Sequence, residues 1–179
     1  MGLTIIAVNK NFGLKKDGEE KKNNKEYNST DTGYFSYKFF REDFMSYLTN
    51  KEINTFEELF SNFFPEGYWF KENQQVIMNV DDFEEKSKNK PKVLDYLKKL
   101  ELLKEKYPNL YDCFAFIVHC DCEGEIPFQQ LVSLVPHLEE YHKQTGRKWG
   151  YSGWNYDWVQ ELIDCCNDAI NHNGKLYFC

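Results

Sequence analysis

Apolar residues recur along the chain with two different spacings, which predict short strands and amphipathic helices. Short apolar runs bounded by polar or turn-forming residues predict strands at residues 3–8, 75–80, 114–118 and 176–179. Apolar residues three and four positions apart predict helices at residues 37–48, 55–63, 91–106, 127–138 and 157–172. Strands and helices do not alternate regularly, so the pattern indicates an α+β fold with a small sheet of about four strands and five or six helices.

Capping residues and prolines mark where several of these helices begin. Thr55 and Glu58 have the spacing of a capping box, in which each side chain accepts a hydrogen bond from the other's backbone. Asp157 is placed to cap the last helix. Pro127 can begin a helix, which Pro136 either kinks or divides into two.

The chain length and one polar stretch bear on the domain organisation. A chain of 179 residues can bury one good core and is short for two independent domains, so a single α+β domain over residues 1–179 is predicted. Residues 9–32 are rich in Lys, Glu, Asn and Gly and nearly empty of apolar residues. This composition predicts a mobile loop or a long hairpin tip.

Charge and hydropathy narrow the classes of partner. The net charge is −7 and the pI is near 5.2, with Arg41 and Arg147 the only arginines. Broad binding to a nucleic-acid backbone is therefore disfavoured, because it needs clustered cations. No apolar run is long enough to span a bilayer, and the N-terminal run lacks a charged leader. These features predict a cytoplasmic protein without membrane contact, in which the six cysteines are reduced and mostly buried.

The densest chemistry follows the predicted strand at residues 114–118. Seven residues there hold one imidazole, two thiols and three carboxylates: His119, Cys120, Asp121, Cys122, Glu123 and Glu125. In an extended chain the imidazole and carboxylates point one way and the thiols the other. The first set suits a divalent metal in an open hydrolytic site, and the two thiols suit zinc or redox chemistry. Neither set is complete, and the alternative is an exposed turn whose carboxylates cap the next helix.

The loop and the C-terminal residues carry a resemblance. His-x-Asp-x-Glu-Gly-Glu-Ile-Pro at 119–127, Gln-Gln-Leu-Val-Ser-Leu at 129–134 and Ala-Ile-Asn-His-Asn-Gly-Lys-Leu-Tyr-Phe at 169–178 resemble a scattered group of small uncharacterised bacterial proteins. The resemblance covers mainly residues 113–179. It implies that His119, Asp121, Glu123 and Glu125 matter, but it brings no activity with it.

A second candidate site is the aromatic segment at 149–158, which places five rings in ten positions on a glycine-containing loop that enters the last helix. Rings on such a backbone can stack on a base, a sugar or a partner's side chain. We therefore expect ligand contacts from Trp149, Tyr151, Trp154 and Tyr156, together with Asp121, Glu123 and Glu125. The metal candidates are His119, Cys120, Asp121 and Cys122. The alternative for the aromatic segment is that its rings seal one end of the core.

The function prediction follows from what is present and what is missing. The chain lacks the phosphate-cradling G-x-x-x-x-G-K-[ST] and the G-x-G-x-x-G, G-x-S-x-G and H-E-x-x-H motifs, which disfavours the enzymes that depend on them. The sequence predicts a non-enzymatic binding protein, bacterial or phage-derived, that blocks or sequesters a protein or a nucleotide-like small molecule. Immunity proteins and phage inhibitors of host defence share its size and charge. The alternatives are a metal-dependent hydrolase using the 119–125 loop and a zinc-stabilised structural module; no cofactor other than a divalent metal is predicted.

Overall fold

The computed structural model describes residues 2–12, 24–55, 58, 102–103, 105–117, 124–149 and 157–179. The chain divides into two units. The first unit combines Met1–Phe40 with Asp121–Cys179, and the second is Arg41–Cys120. The single domain expected over residues 1–179 stays a prediction.

The first unit contains a sheet of four antiparallel strands in the order β2-β1-β4-β3. The strands are β1 (Gly2–Val8), β2 (Glu26–Gly33), β3 (Gly124–Ile126) and β4 (Lys175–Phe178). The strands expected at 3–8 and 176–179 are confirmed as β1 and β4. With the helices below, the sheet confirms the α+β class.

Four helices lie in the described part of the chain: α1 (Tyr34–Leu48), α2 (Tyr111–Ile117), α3 (Phe128–Thr145) and α4 (Trp158–Asn171). Helix α1 begins three residues before the predicted position. Helix α3 follows Pro127 and continues through Pro136, at the cost of one backbone hydrogen bond. Helix α4 begins after Asp157, whose carboxylate accepts from the Gln160 N–H as expected.

The prediction of a strand at residues 114–118 is wrong, because residues 111–117 form α2. Cys113, Phe116 and Ile117 are fully buried and recur at helical spacing. A short apolar run does not distinguish a buried strand from one face of a short helix. The strand predicted at 75–80 lies outside the described residues, as does most of the helices predicted at 55–63 and 91–106.

Strand β2 shortens the loop expected at residues 9–32, since residues 26–32 belong to the sheet. The antiparallel pairing of β1 with β2 agrees with the hairpin alternative. Thr30 and Thr32 of β2 are buried, whereas Asp31 between them is exposed. The strand is therefore stabilised by pairing with β1 and by packing on one face. A polar sequence does not predict either contact.

The core of the first unit lies between the sheet and α4, which contacts β1, β2 and β4. Leu3, Ile5 and Ala7 of β1 are fully buried. Each large apolar side chain removed from water stabilises the fold by about 1.5–3 kcal/mol. Gly174 is required between α4 and β4, because a Cβ there would lie 2.1 Å from the Val8 carbonyl oxygen.

Aromatic rings close the same core beside α4. Trp158, at the start of α4, makes edge-to-face contacts with Phe40 at 5.0 Å and with Tyr37 at 6.1 Å between ring centroids. Phe40 makes a similar contact with Tyr141 of α3 at 5.9 Å. All four rings are fully buried. Such pairs add about 0.5–1.5 kcal/mol each beyond their buried area.

One predicted helix cap, the capping box of Thr55 and Glu58, is confirmed in the second unit. The Thr55 hydroxyl oxygen accepts from the Glu58 N–H at 3.1 Å, and the Glu58 carboxylate accepts from the Thr55 N–H at 3.2 Å. These two bonds are the reciprocal pattern of a capping box. Elsewhere in this unit the guanidinium of Arg41 donates to the Ile117 carbonyl oxygen at 3.1 Å, at the end of α2.

Candidate functional site

The two ends of the aromatic segment lie side by side. Trp149 and Asp157 form an isolated antiparallel bridge. The Val159 N–H also donates to the Lys148 carbonyl oxygen at 3.3 Å. Residues 149 and 157 are thus joined at the backbone. Asp157 is held on its other side as the N-cap of α4, where its carboxylate accepts from the Gln160 N–H at 3.2 Å.

A histidine of α3 binds the same aspartate. His142 Nε2 lies 2.9 Å and 3.1 Å from the two carboxylate oxygens of Asp157. The imidazole donates to the carboxylate when neutral and forms an ion pair with it when protonated. The side chains of His142 and Asp157 are 22% and 25% exposed. One carboxylate therefore caps α4 and ties its first turn to the last turn of α3.

Trp149 is held in an unusual conformation at this junction. Its φ of 53° lies in the left-handed region, which costs a non-glycine residue about 1–3 kcal/mol. The indole N–H donates to the Tyr141 hydroxyl at 2.6 Å, and Tyr141 is fully buried. This bond and the bridge to Asp157 offset the backbone cost. The indole is therefore fixed in one orientation while the residue stays partly exposed.

Charged residues lie on both chain segments that meet at Trp149 and Asp157. Exposed basic residues precede Trp149 in the chain: Lys143, Arg147 and Lys148. Helix α4, which begins beside it, carries only acidic charges: Glu161, Asp164 and Asp168. Asp164 is exposed and accepts from the Gln160 amide at 2.9 Å. We call Trp149, His142 and Asp157 the Trp149 surface, beside which α4 begins.

The structure places two of the residues expected to bind ligands or metal. Trp149 lies in the surface just defined. The others lie outside the described residues: His119, Cys120, Asp121, Cys122, Glu123, Tyr151, Trp154 and Tyr156. Their expected roles stay predictions.

Glu125 is the second of the placed residues, and it contacts the sheet. Its carboxylate binds the ammonium group of Lys175, which is only 8% exposed. Glu125 pairs with Tyr177 in the register of β3 and β4, so Lys175 is its diagonal neighbour on the same face. A buried ammonium left without its carboxylate would be costly. Any ligand of Glu125 would compete with this ion pair.

The described thiols are poor nucleophiles. Cys113, Cys165 and Cys166 are buried, as expected, and Cys179 is exposed. Burial raises the pKa of Cys113 and of Cys165 to about 12, and it raises the pKa of Cys166 well above the ordinary value. A thiol with such a pKa holds almost no thiolate near neutral pH.

The described residues contain no group of three or more His, Cys, Asp or Glu side chains that could hold a metal ion. The same residues include no helix long and apolar enough to cross a membrane. Comparison of the chain with protein-family models, curated proteins and solved structures gave no match.

Sequence reasoning missed both side-chain pairs of the site, His142 with Asp157 and Tyr141 with Trp149. The two pairs join α3 to residues eight and fifteen positions further along. A local signal exists for Asp157, since its carboxylate caps α4. That carboxylate is free to accept a second donor, but the sequence does not show which one.

Proposed function

We propose that the protein is a non-enzymatic binding protein whose ligand is another protein, contacted through the Trp149 surface. The observation that carries the proposal is Trp149 itself, a partly exposed indole fixed by its backbone bridge and by the Tyr141 hydroxyl. Tryptophan is enriched among the residues that dominate binding energy at protein interfaces. A side chain already held in one orientation loses little conformational entropy on binding.

The charge of the neighbouring helix α4 favours a protein over a nucleotide-like ligand. Helix α4 carries three carboxylates and no Lys or Arg, so it repels phosphate groups. The same carboxylates attract a partner with a mainly basic surface. The basic residues before Trp149 complement an acidic patch at the border of that partner.

Blocking or sequestering the partner, in the manner of immunity or anti-defence proteins, belongs to the same proposal. Its support is the small size, the charge of −7 and the poor nucleophilicity of the described thiols. We propose the cytoplasm as its location and a bacterial or phage source. The hydrolase alternative uses the 119–125 loop and the zinc module uses Cys120 and Cys122; of these residues the structure describes only Gly124 and Glu125.

Site-specific photo-cross-linking tests the proposal. The cross-linking amino acid p-benzoylphenylalanine replaces Lys148, the exposed neighbour of Trp149, in one variant and Phe35 in a control, each expressed in the natural host cell. Phe35 is a matched control because it is an aromatic residue that is 79% exposed. We expect one protein adduct with a basic surface from the Lys148 position and none from the Phe35 position.

Two outcomes would contradict the proposal. The first is the same set of adducts from both positions, which would indicate non-specific contact. The second is no adduct from position 148 together with a nucleotide that copurifies with the wild-type protein and is released on denaturation. Mass spectrometry of both samples distinguishes these outcomes.

A further inference from the structure

The turn between α4 and β4 has a defined helix-ending geometry. The Gly174 N–H donates to the Ala169 carbonyl oxygen at 2.7 Å, and the Asn173 N–H donates to the Ile170 carbonyl oxygen at 3.0 Å. Asn173 has a φ of 49°, in the left-handed region. Two such bonds across a left-handed residue form the Schellman motif, which satisfies carbonyl groups that the last turn of a helix leaves unpaired. The motif therefore fixes the backbone of both residues.

The same geometry restricts which amino acids can occupy the turn. A left-handed residue at the end of a helix is usually glycine and sometimes asparagine, because most other side chains are strained there. At the next position only glycine fits, since a Cβ on Gly174 would lie 2.1 Å from the Val8 carbonyl oxygen. The fold thus favours Gly-Gly or Asn-Gly at 173–174, and the chain has Asn-Gly.

An asparagine followed by glycine can lose its side-chain amide in a reaction that needs only water. The glycine nitrogen, on losing its proton, attacks the side-chain carbonyl carbon, and the new C–N bond closes a five-membered succinimide ring. The bond to the side-chain nitrogen breaks, and that nitrogen takes up the proton and leaves as ammonia. Water then opens the ring at either carbonyl group and gives aspartate or isoaspartate. Asparagine is accordingly a thermolabile residue, and glycine offers no side chain to hinder the attack.

The folded turn keeps the two reacting atoms apart. In the left-handed conformation the Cβ of a residue lies nearly opposite the following nitrogen across the Cα–C bond, so the side-chain carbon of Asn173 cannot reach the Gly174 nitrogen. The ring closes only after rotation about that bond, and the rotation breaks the hydrogen bond from Gly174 to Ala169. The same hydrogen bond retains the proton that the Gly174 nitrogen must lose.

We propose that Asn173 is a deamidation site which the native turn protects and which unfolding of the turn exposes. Both products weaken the turn. Isoaspartate lengthens the backbone by one methylene group, so the two bonds of the motif no longer form together. Aspartate adds a negative charge at the C-terminal end of α4, where the helix dipole disfavours it. Deamidation therefore marks molecules that have unfolded and lowers their stability after refolding.

Peptide mapping by mass spectrometry tests this inference on the full chain, in a mildly alkaline buffer at constant temperature. Native protein is compared with protein unfolded in guanidinium chloride and with a synthetic peptide of residues 168–178, the reference for an unrestrained Asn-Gly pair. We expect the unfolded protein to react at Asn173 about as fast as the peptide. The native protein should react at least about a hundredfold more slowly, because the reaction requires local opening of the helix end.

The variant Asn173→Gly is the matched control for this experiment. Glycine suits the left-handed position and carries no amide, so the acidic products that remain in this variant come from other asparagines. Native wild-type protein that reacts at Asn173 as fast as the peptide would overturn the protection by the turn. Unfolded protein that does not react at Asn173 would overturn the site itself.

The loss of stability has a test of its own. The variant Asn173→Asp carries one of the two products and differs from the wild type only in the charge of a side chain of the same shape. We expect it to unfold at a lower urea concentration than the wild type, and we expect added salt to reduce the difference. A midpoint equal to or above that of the wild type would overturn the claim that deamidation lowers stability.

Discussion

Cys165 shows how burial sets the chemistry of single residues in this protein. Its thiol, on the side of α4 that faces the sheet, lies 3.7 Å from the Ile5 carbonyl oxygen and 3.6 Å from that of Asn28. Burial, as the largest cause, raises its pKa from 9.0 to about 12. The pKa of Cys179 is also raised, by partial burial and by the charges of Asp31 and Glu26, but this residue is exposed.

These thiols should differ in reactivity toward iodoacetamide in the native protein. A raised pKa means less thiolate at any pH below it, so alkylation should accelerate with rising pH up to the pKa. At neutral pH we expect alkylation of Cys179 while Cys165 stays intact, and alkylation of both in urea. Peptide mass mapping over time measures both rates. Native Cys165 reacting as fast as Cys179 would show that it is not buried as described.

Asp157 connects elements, since its carboxylate caps α4 and binds His142 of α3. Asp157→Ala removes both interactions and should lower the free energy of unfolding by about 1–2 kcal/mol for the cap alone. Asp157→Asn keeps a cap but loses the charge, so its cost should be smaller. Urea unfolding of both variants measures the difference. Equal stability of Asp157→Ala and the wild type would contradict the claim that Asp157 joins α3 to α4.

The secondary elements also show where sequence patterns predict this fold and where they do not. Helix α4 was predictable because its cap and its long apolar stripe agree. Helix α2 was not, because seven residues with buried positions 113, 114, 116 and 117 fit either a strand or a helix. Strand β2 lacks an apolar run altogether. This strand forms because it pairs with β1, and that pairing leaves no signal in the local sequence of β2.

The candidate site also has features that the sequence predicts and features that it does not. The aromatic segment at 149–158 is distinctive in composition, and the prediction of a helix directly after it is confirmed by α4. The contacts that fix Trp149 depend on how α3 packs beside α4, and no spacing in the sequence encodes them. Glu125 is a predicted ligand-binding residue because the 119–125 loop is rich in possible ligands. Its described partner is instead Lys175, which lies fifty residues further along the chain.

Across the whole molecule, the net charge of −7 includes an acidic concentration on β2 and α4, which hold five carboxylates and no Lys or Arg. Such a field mainly raises the rate at which a basic partner arrives and makes that rate depend on salt. Affinity is expected to depend more on the fixed indole of Trp149, since large aromatic anchors dominate interface energies. The central claim is therefore that Trp149 anchors a protein partner.

Calorimetric titration of the cross-linked partner with three forms of the protein tests this claim most directly. The forms are the wild type, Trp149→Ala and the control Phe35→Ala, each checked for an unchanged unfolding temperature. We expect Trp149→Ala to raise the dissociation constant by at least about tenfold, or 1.4 kcal/mol, and Phe35→Ala to leave it within about twofold. Equal dissociation constants for Trp149→Ala and the wild type would contradict the claim.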